Sequence, residues 1–201
     1  MLNRRIRLNV ETDAGFSMLE LLIAMTITLA MMTAASTLLA TSLRTRTREN
    51  LRSDALASAQ RALNIMSREI GNTGYGLTDN GIVVADSTTD SIRTRANLDN
   101  DATLDEADED VRFIFQLENR AIVRFDNFAA TNGTTILAGN ITGLTLTYLD
   151  TVGGPATAAT AERIRIDVSV NLPAGPGQPA SVVGLVSDVA LRNAPHTLQQ
   201  F

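Results

Sequence analysis

Residues 21–43 carry no ionisable side chain, and this is the only long apolar run in the chain. Read as a helix from Phe16 to Leu43, the segment is about 42 Å long at ~1.5 Å per residue. A bilayer core needs only about 20 apolar residues, so the run predicts a membrane span. An ordinary secretory signal is disfavoured. The apolar core of such a signal covers only about 7–15 residues and leads into a small-x-small cleavage site, and no such site follows here. The flanks alone do not orient the span. Arg4, Arg5 and Arg7 precede it with Glu11 and Asp13, while Arg44, Arg46, Arg48 and Arg52 follow with Glu49. A count of basic residues therefore leaves either end as the cytoplasmic one.

Glu20 sits among Phe16, Met18, Leu19, Leu21, Leu22 and Ile23. An acid there is costly unless it reaches the interface or a partner, and so it marks function. The competing reading is a helix-end acid, favoured by the positive end of the helix dipole. The run Ala14-Gly15-Phe16-Ser17-Met18-Leu19-Glu20-Leu21-Leu22-Ile23-Ala24-Met25 resembles the prepilin signature of type IV pilins and type II secretion pseudopilins. In that superfamily a short leader ends in Gly, the mature chain begins with Phe, and Glu stands fifth. The resemblance implies that residues 1–15 are a leader and that a membrane aspartyl prepilin peptidase cuts between Gly15 and Phe16 and methylates the new amine. It further implies that Glu20 places the subunit against a neighbour's N-terminal amine during assembly. A buried charge pair of that kind sets register better than it adds stability. The leader is then cytoplasmic, the rest of the chain lies outside the bacterial inner membrane, and the subunit later enters a pilus or pseudopilus. Major type IVa pilins often carry Pro at the twenty-second mature position. Here that position is Thr37, and all five prolines lie at or beyond Pro155, which favours a minor pilin or pseudopilin with a more continuous helix.

The span, residues 16–43, is expected to continue as an amphipathic helix over residues 44–70. Leu51, Ala55, Ala59, Leu63, Met66 and Ile70 recur at three- to four-residue spacing, giving one apolar stripe to pack on a sheet. Gly71, Gly74 and Gly76 then end the helix. The segment Arg68-Glu69-Ile70-Gly71-Asn72-Thr73-Gly74-Tyr75-Gly76 resembles the helix exit of PilW-type minor pilins, as Val189-Ala190-Leu191-Arg192-Asn193 resembles their final strand. Strand patterns follow at residues 90–95, 111–117, 121–125, 143–149, 163–172 and 182–191. Glu118-Asn119-Arg120 turns the second of these into the third as a hairpin, and Pro- and Gly-rich turns fall at 153–155 and 173–179. The expected class is α+β: a long N-terminal helix packed on an antiparallel β-sheet head of residues 71–201.

The stretch 99–110 packs seven acids into twelve residues with no base. Asp99, Asp101, Thr103, Asp105 and Asp110 take positions one, three, five, seven and twelve of an EF-hand-like loop, an oxygen pattern suited to Ca²⁺. Leu104 stands where such loops carry Gly, and Asp110 is shorter than the usual Glu, so a solvated acidic loop is the alternative. From residue 71 onward eight Arg face sixteen acids, and this balance disfavours binding of nucleic acid by the head. Cysteine is absent, and the one histidine, His196, lies near the C-terminus with no Cys for company, so it reads as a tail residue in place of a general base or ligand. No nucleophile, phosphate-loop or zinc motif occurs, so an enzyme is not expected. Asn132-Gly133-Thr134 and Asn140-Ile141-Thr142 match glycosylation sequons. The partners implied by the resemblance are other pilin subunits, the prepilin peptidase, the inner-membrane assembly platform and membrane lipid. The leading expectation is a PilW-like minor pilin that primes or stabilises a type IV pilus. Its rivals are a pseudopilin near the tip of a type II secretion filament and a single-pass anchored adhesive or calcium-binding module that never polymerises.

Overall fold

The structure is a computed structural model that describes residues 15–101, 103–131, 133–174 and 179–194. His196, Asn132, most of the proposed leader and part of the turn at 173–179 lie outside the described residues. The chain divides into two compact units, Met1–Arg46 and Thr47–Phe201.

One α-helix, α1 (Met18–Gly71), supplies the described helix of the first unit and the first element of the second. In the first unit its side chains are exposed, including Met18 at 92% and Leu38 at 72%. The hydroxyls along this stretch are satisfied by the helix itself. Thr26, Thr28, Thr33, Ser36, Thr37 and Thr41 each donate to a carbonyl three or four residues earlier at 2.7–2.8 Å. Bonded this way, a hydroxyl needs no water, which fits a helix in an apolar surround. The helix passes Thr37 without interruption, as its lack of proline requires.

In the second unit, residues 47–71 of α1 bury Ala55, Ala59, Ala62, Leu63, Met66 and Ile70. This is the expected stripe with one exception: Leu51 remains 54% exposed. Met66 and Ile70, fully buried, each stabilise the fold by about 1.5–3 kcal/mol. Among the described residues seven strands follow: β1 (Ser91–Arg95), β2 (Asp110–Gln116), β3 (Ala121–Asp126), β4 (Thr134–Ala138), β5 (Ile141–Leu149), β6 (Arg163–Leu172) and β7 (Ser181–Ala190). The α+β expectation holds, but the strands form two antiparallel sheets where one was expected, in the orders β1-β2-β3-β4 and β5-β6-β7. The chain changes sheet at Gly139-Asn140, where Asn140 takes a left-handed φ of 58°. There the Ile141 N–H donates to the Arg120 carbonyl at 2.9 Å and the Asn140 carbonyl accepts from Asn171 N–H at 2.8 Å.

The β2–β3 hairpin pairs as expected, with Gln116 opposite Ala121. The short edge strand β4 escapes the sequence pattern because most of it is exposed and shows no burial alternation. At the start of β5 the register shifts between Ile141 and Gly143. That bulge keeps both Ile141 and Leu144 inward, although strict alternation would separate them. The glycines after α1 do more than end it. Gly81 has φ +70°, and a Cβ there would stand 2.4 Å from the Arg95 carbonyl and the Gly74 nitrogen. This crossing brings the loop alongside β1, with Gly74 N–H bonded to Arg95 O at 2.9 Å and Arg95 N–H to Gly81 O at 2.8 Å.

Candidate functional site

Gly15, Phe16 and Ser17 precede the first helical residue. Ser17 caps the helix: its Oγ accepts the Leu19 N–H at 3.3 Å and its carbonyl accepts the Leu21 N–H at 3.1 Å. The Gly15–Phe16 peptide bond therefore lies outside the helical hydrogen-bond ladder. Among the described residues nothing stands within 4 Å of where a Gly15 Cβ would be, and its φ is not left-handed. Among the described residues, the fold makes no demand for glycine at this position.

Glu20 is exposed in the first turn of α1. With Ser17 three residues earlier it has the Ser-x-x-Glu spacing of a capping box, a local signal that the sequence pattern contains and the expectation above did not use. Phe16, 82% exposed, stands just ahead of this turn. The chain contains no lysine, so a cut before Phe16 leaves its amine as the only primary amine. Downstream, α1 holds a window long and apolar enough to cross a membrane, and none of that window is buried within the protein.

The acidic stretch does not assemble as one cation cage. Asp99, Asp101, Thr103 and Asp105 are joined by short-range bonds, with Thr103 Oγ1 2.9 Å from Asp105 Oδ1 and Thr103 N–H donating to Asp101 Oδ1 at 2.7 Å. Asp110 is occupied elsewhere. Its side chain, 3% exposed, accepts from Arg93 Nε at 2.7 Å and Arg95 Nε at 3.0 Å, and Asn127 Nδ2 donates to it at 3.0 Å. Burial pushes the Asp110 carboxyl up, but the hydrogen bonds from Arg93 and Arg95 outweigh it and hold the group below the usual carboxylate range. Arg93 donates to Asp110 and also, through Nη1, to Asp86 at 2.7 Å, and these bonds raise its pKa. Among the described residues no group of three or more His, Cys, Asp or Glu is arranged to hold a metal ion. The twelfth-position oxygens of the five-residue EF-hand-like set are thus engaged by two guanidiniums.

The neighbouring acids are also structural. Glu109, 1% exposed, accepts the Leu98 N–H at 2.8 Å and the Glu106 N–H at 3.2 Å, folding the loop back on itself. Arg124 on β3 reaches Glu69 of α1 at 2.8 Å and pairs with Asp108 as well. Burial alone would lower the Arg124 pKa, and these two carboxylates raise it. Sequence reasoning missed this set. The available signal was Arg93 and Arg95 alternating on one face of β1, opposite an acid-rich segment.

Residues 12–36 match the family model described as the prokaryotic N-terminal methylation motif. Among solved structures, a type IV-like pilin from Thermus thermophilus is similar at 11% identity and a TM-score of 0.49, covering 69% of this chain and 97% of that one. No curated protein matches the chain.

Proposed function

We propose that the chain is a minor pilin, synthesised with a leader of residues 1–15 and matured by prepilin peptidase cleavage between Gly15 and Phe16 with methylation of Phe16. The observation that carries this reading is the methylation motif over residues 12–36, lying on an apolar helix that its own fold leaves uncovered. In the inner membrane lipid covers that helix, and in a filament the helices of neighbouring subunits do. Glu20 then meets a neighbour's cationic Phe16 amine in an apolar setting, where a charge pair fixes register. The head is extracytoplasmic, and the PilW-like subtype rests on the helix-exit segment 68–76 and the terminal segment 189–193. A type II secretion pseudopilin shares the same motif, and the unbroken helix through Thr37 suits either one.

Mass spectrometry of the N-terminus tests processing. The expected mature chain begins at Phe16 and carries one methyl group, on the only primary amine present. An intact Met1 leader on the membrane-resident protein refutes the proposal. Co-purification with a pilus or with a secretion filament separates the two assemblies.

A further inference from the structure

A helix that crosses a bilayer has to place its first charge at each end where the hydrocarbon stops. Between Glu20 and Arg44 the chain has no ionisable residue. The two lie about 36 Å apart along the helix axis at ~1.5 Å per residue. The hydrocarbon core is about 30 Å thick, and about 40–45 Å with its headgroups. Charges with this separation fall in the two headgroup layers, with the apolar run filling the core between them.

Arg44 and Arg46 are both exposed, and no ion pair engages either among the described residues. At ~3.6 residues per turn they lie about 200° apart around the helix, so they point to opposite sides. A protein partner covering one side meets one of them, whereas a headgroup layer surrounds the helix and meets both. Thr45 between them is turned onto its own helix, its Oγ1 3.0 Å from the Thr41 carbonyl. The guanidiniums are thus left as the outward donors. Guanidinium is suited to phosphate by its planar fork of N–H groups and its weak hydration.

We propose that Arg44 and Arg46 form a collar that binds the phosphates of anionic phospholipids in the leaflet at the end of the span far from Phe16. The collar fixes the depth of the subunit in the membrane before assembly. This inference rests on the membrane-anchored reading above and adds the lipid class to it.

The test reconstitutes the full chain in phosphatidylcholine vesicles and measures the association of spin-labelled phosphatidylglycerol relative to spin-labelled phosphatidylcholine. Retention after alkaline carbonate extraction is scored in parallel. The wild type is expected to prefer phosphatidylglycerol. The double variant Arg44→Gln/Arg46→Gln should lose that preference by up to about fivefold per arginine at low salt, while Arg44→Lys/Arg46→Lys keeps most of it. Leader arginines are common to all three proteins and cancel in the comparison. An unchanged preference in the glutamine variant, with retention intact, overturns the collar and leaves anchorage standing. Competition by millimolar inorganic phosphate points to a free-anion site and also overturns it. Loss of the wild-type chain on carbonate extraction overturns both the anchorage and the collar.

Discussion

At the residue scale, the proposed function gives Glu20 two separable roles. As the third residue after the Ser17 cap it favours helix initiation, and as a carboxylate in an apolar segment it is poised to pair with a cation. Glutamine keeps the capping geometry and removes the charge, whereas alanine removes both. We expect Glu20→Gln and Glu20→Ala both to insert in the membrane and both to fail to enter filaments, as measured by immunoblot of sheared filaments against the membrane fraction. Normal incorporation of Glu20→Gln, with loss only in Glu20→Ala, would show that capping is what matters. Gly15 presents a cleaner case. No described residue comes within 4 Å of a Cβ built there, so under the proposed function Gly15→Ala is expected to slow leader removal, read by N-terminal mass spectrometry, without lowering the melting temperature.

At the scale of elements, the acidic loop, β1, β2 and α1 are held by two charged clusters. Arg124 joins β3 to α1 through Glu69, with its side chain only 13% exposed. Replacing it by Met takes the 2.8 Å partner from Glu69, which keeps only Arg68 at 3.9 Å, and removes the guanidinium beside Asp108 and Asp126. Removing one member of a fully buried pair costs about 3–5 kcal/mol. Since Glu69 is 23% exposed, we expect about 2–3 kcal/mol, read as a lower melting temperature of the detergent-solubilised chain. Asp110 gives the pH dependence. Its folded pKa lies below the ordinary value of about 3.9, so its contribution is fully present above that value and is lost as pH falls through the folded pKa. Thermal melts should therefore show the wild type losing stability below about pH 4. Asp110→Asn should be less stable at pH 7 and show a smaller loss across the acid range.

At the scale of the whole molecule, the described buried hydrophobic core runs from Ala55 to Ala194 and draws on α1 and both sheets. A chain starting at Thr47 retains every one of those residues. We expect it to be soluble and to melt cooperatively within a few degrees of the full-length protein, as followed by circular dichroism; failure to fold would mean that the second unit depends on the first. Much of this organisation was legible in the chain. The apolar run, the Gly15-Phe16 junction and Glu20 are local signals whose meaning depends on spacing along a single segment. Helix and strand periodicity likewise placed α1 to within a residue or two of its end and located six of the seven strands. What only the tertiary structure decided involves partners distant in sequence. The split into two sheets depends on one left-handed Asn140 and on bulges that a period-two pattern does not encode. The acidic loop reads along the chain as a row of cation ligands, yet Asp110 is committed to Arg93 and Arg95 across β1 and β2. A carboxylate's role is set by the charge folding brings nearest to it, and at Asp110 that charge comes from two arginine side chains on the adjoining strand.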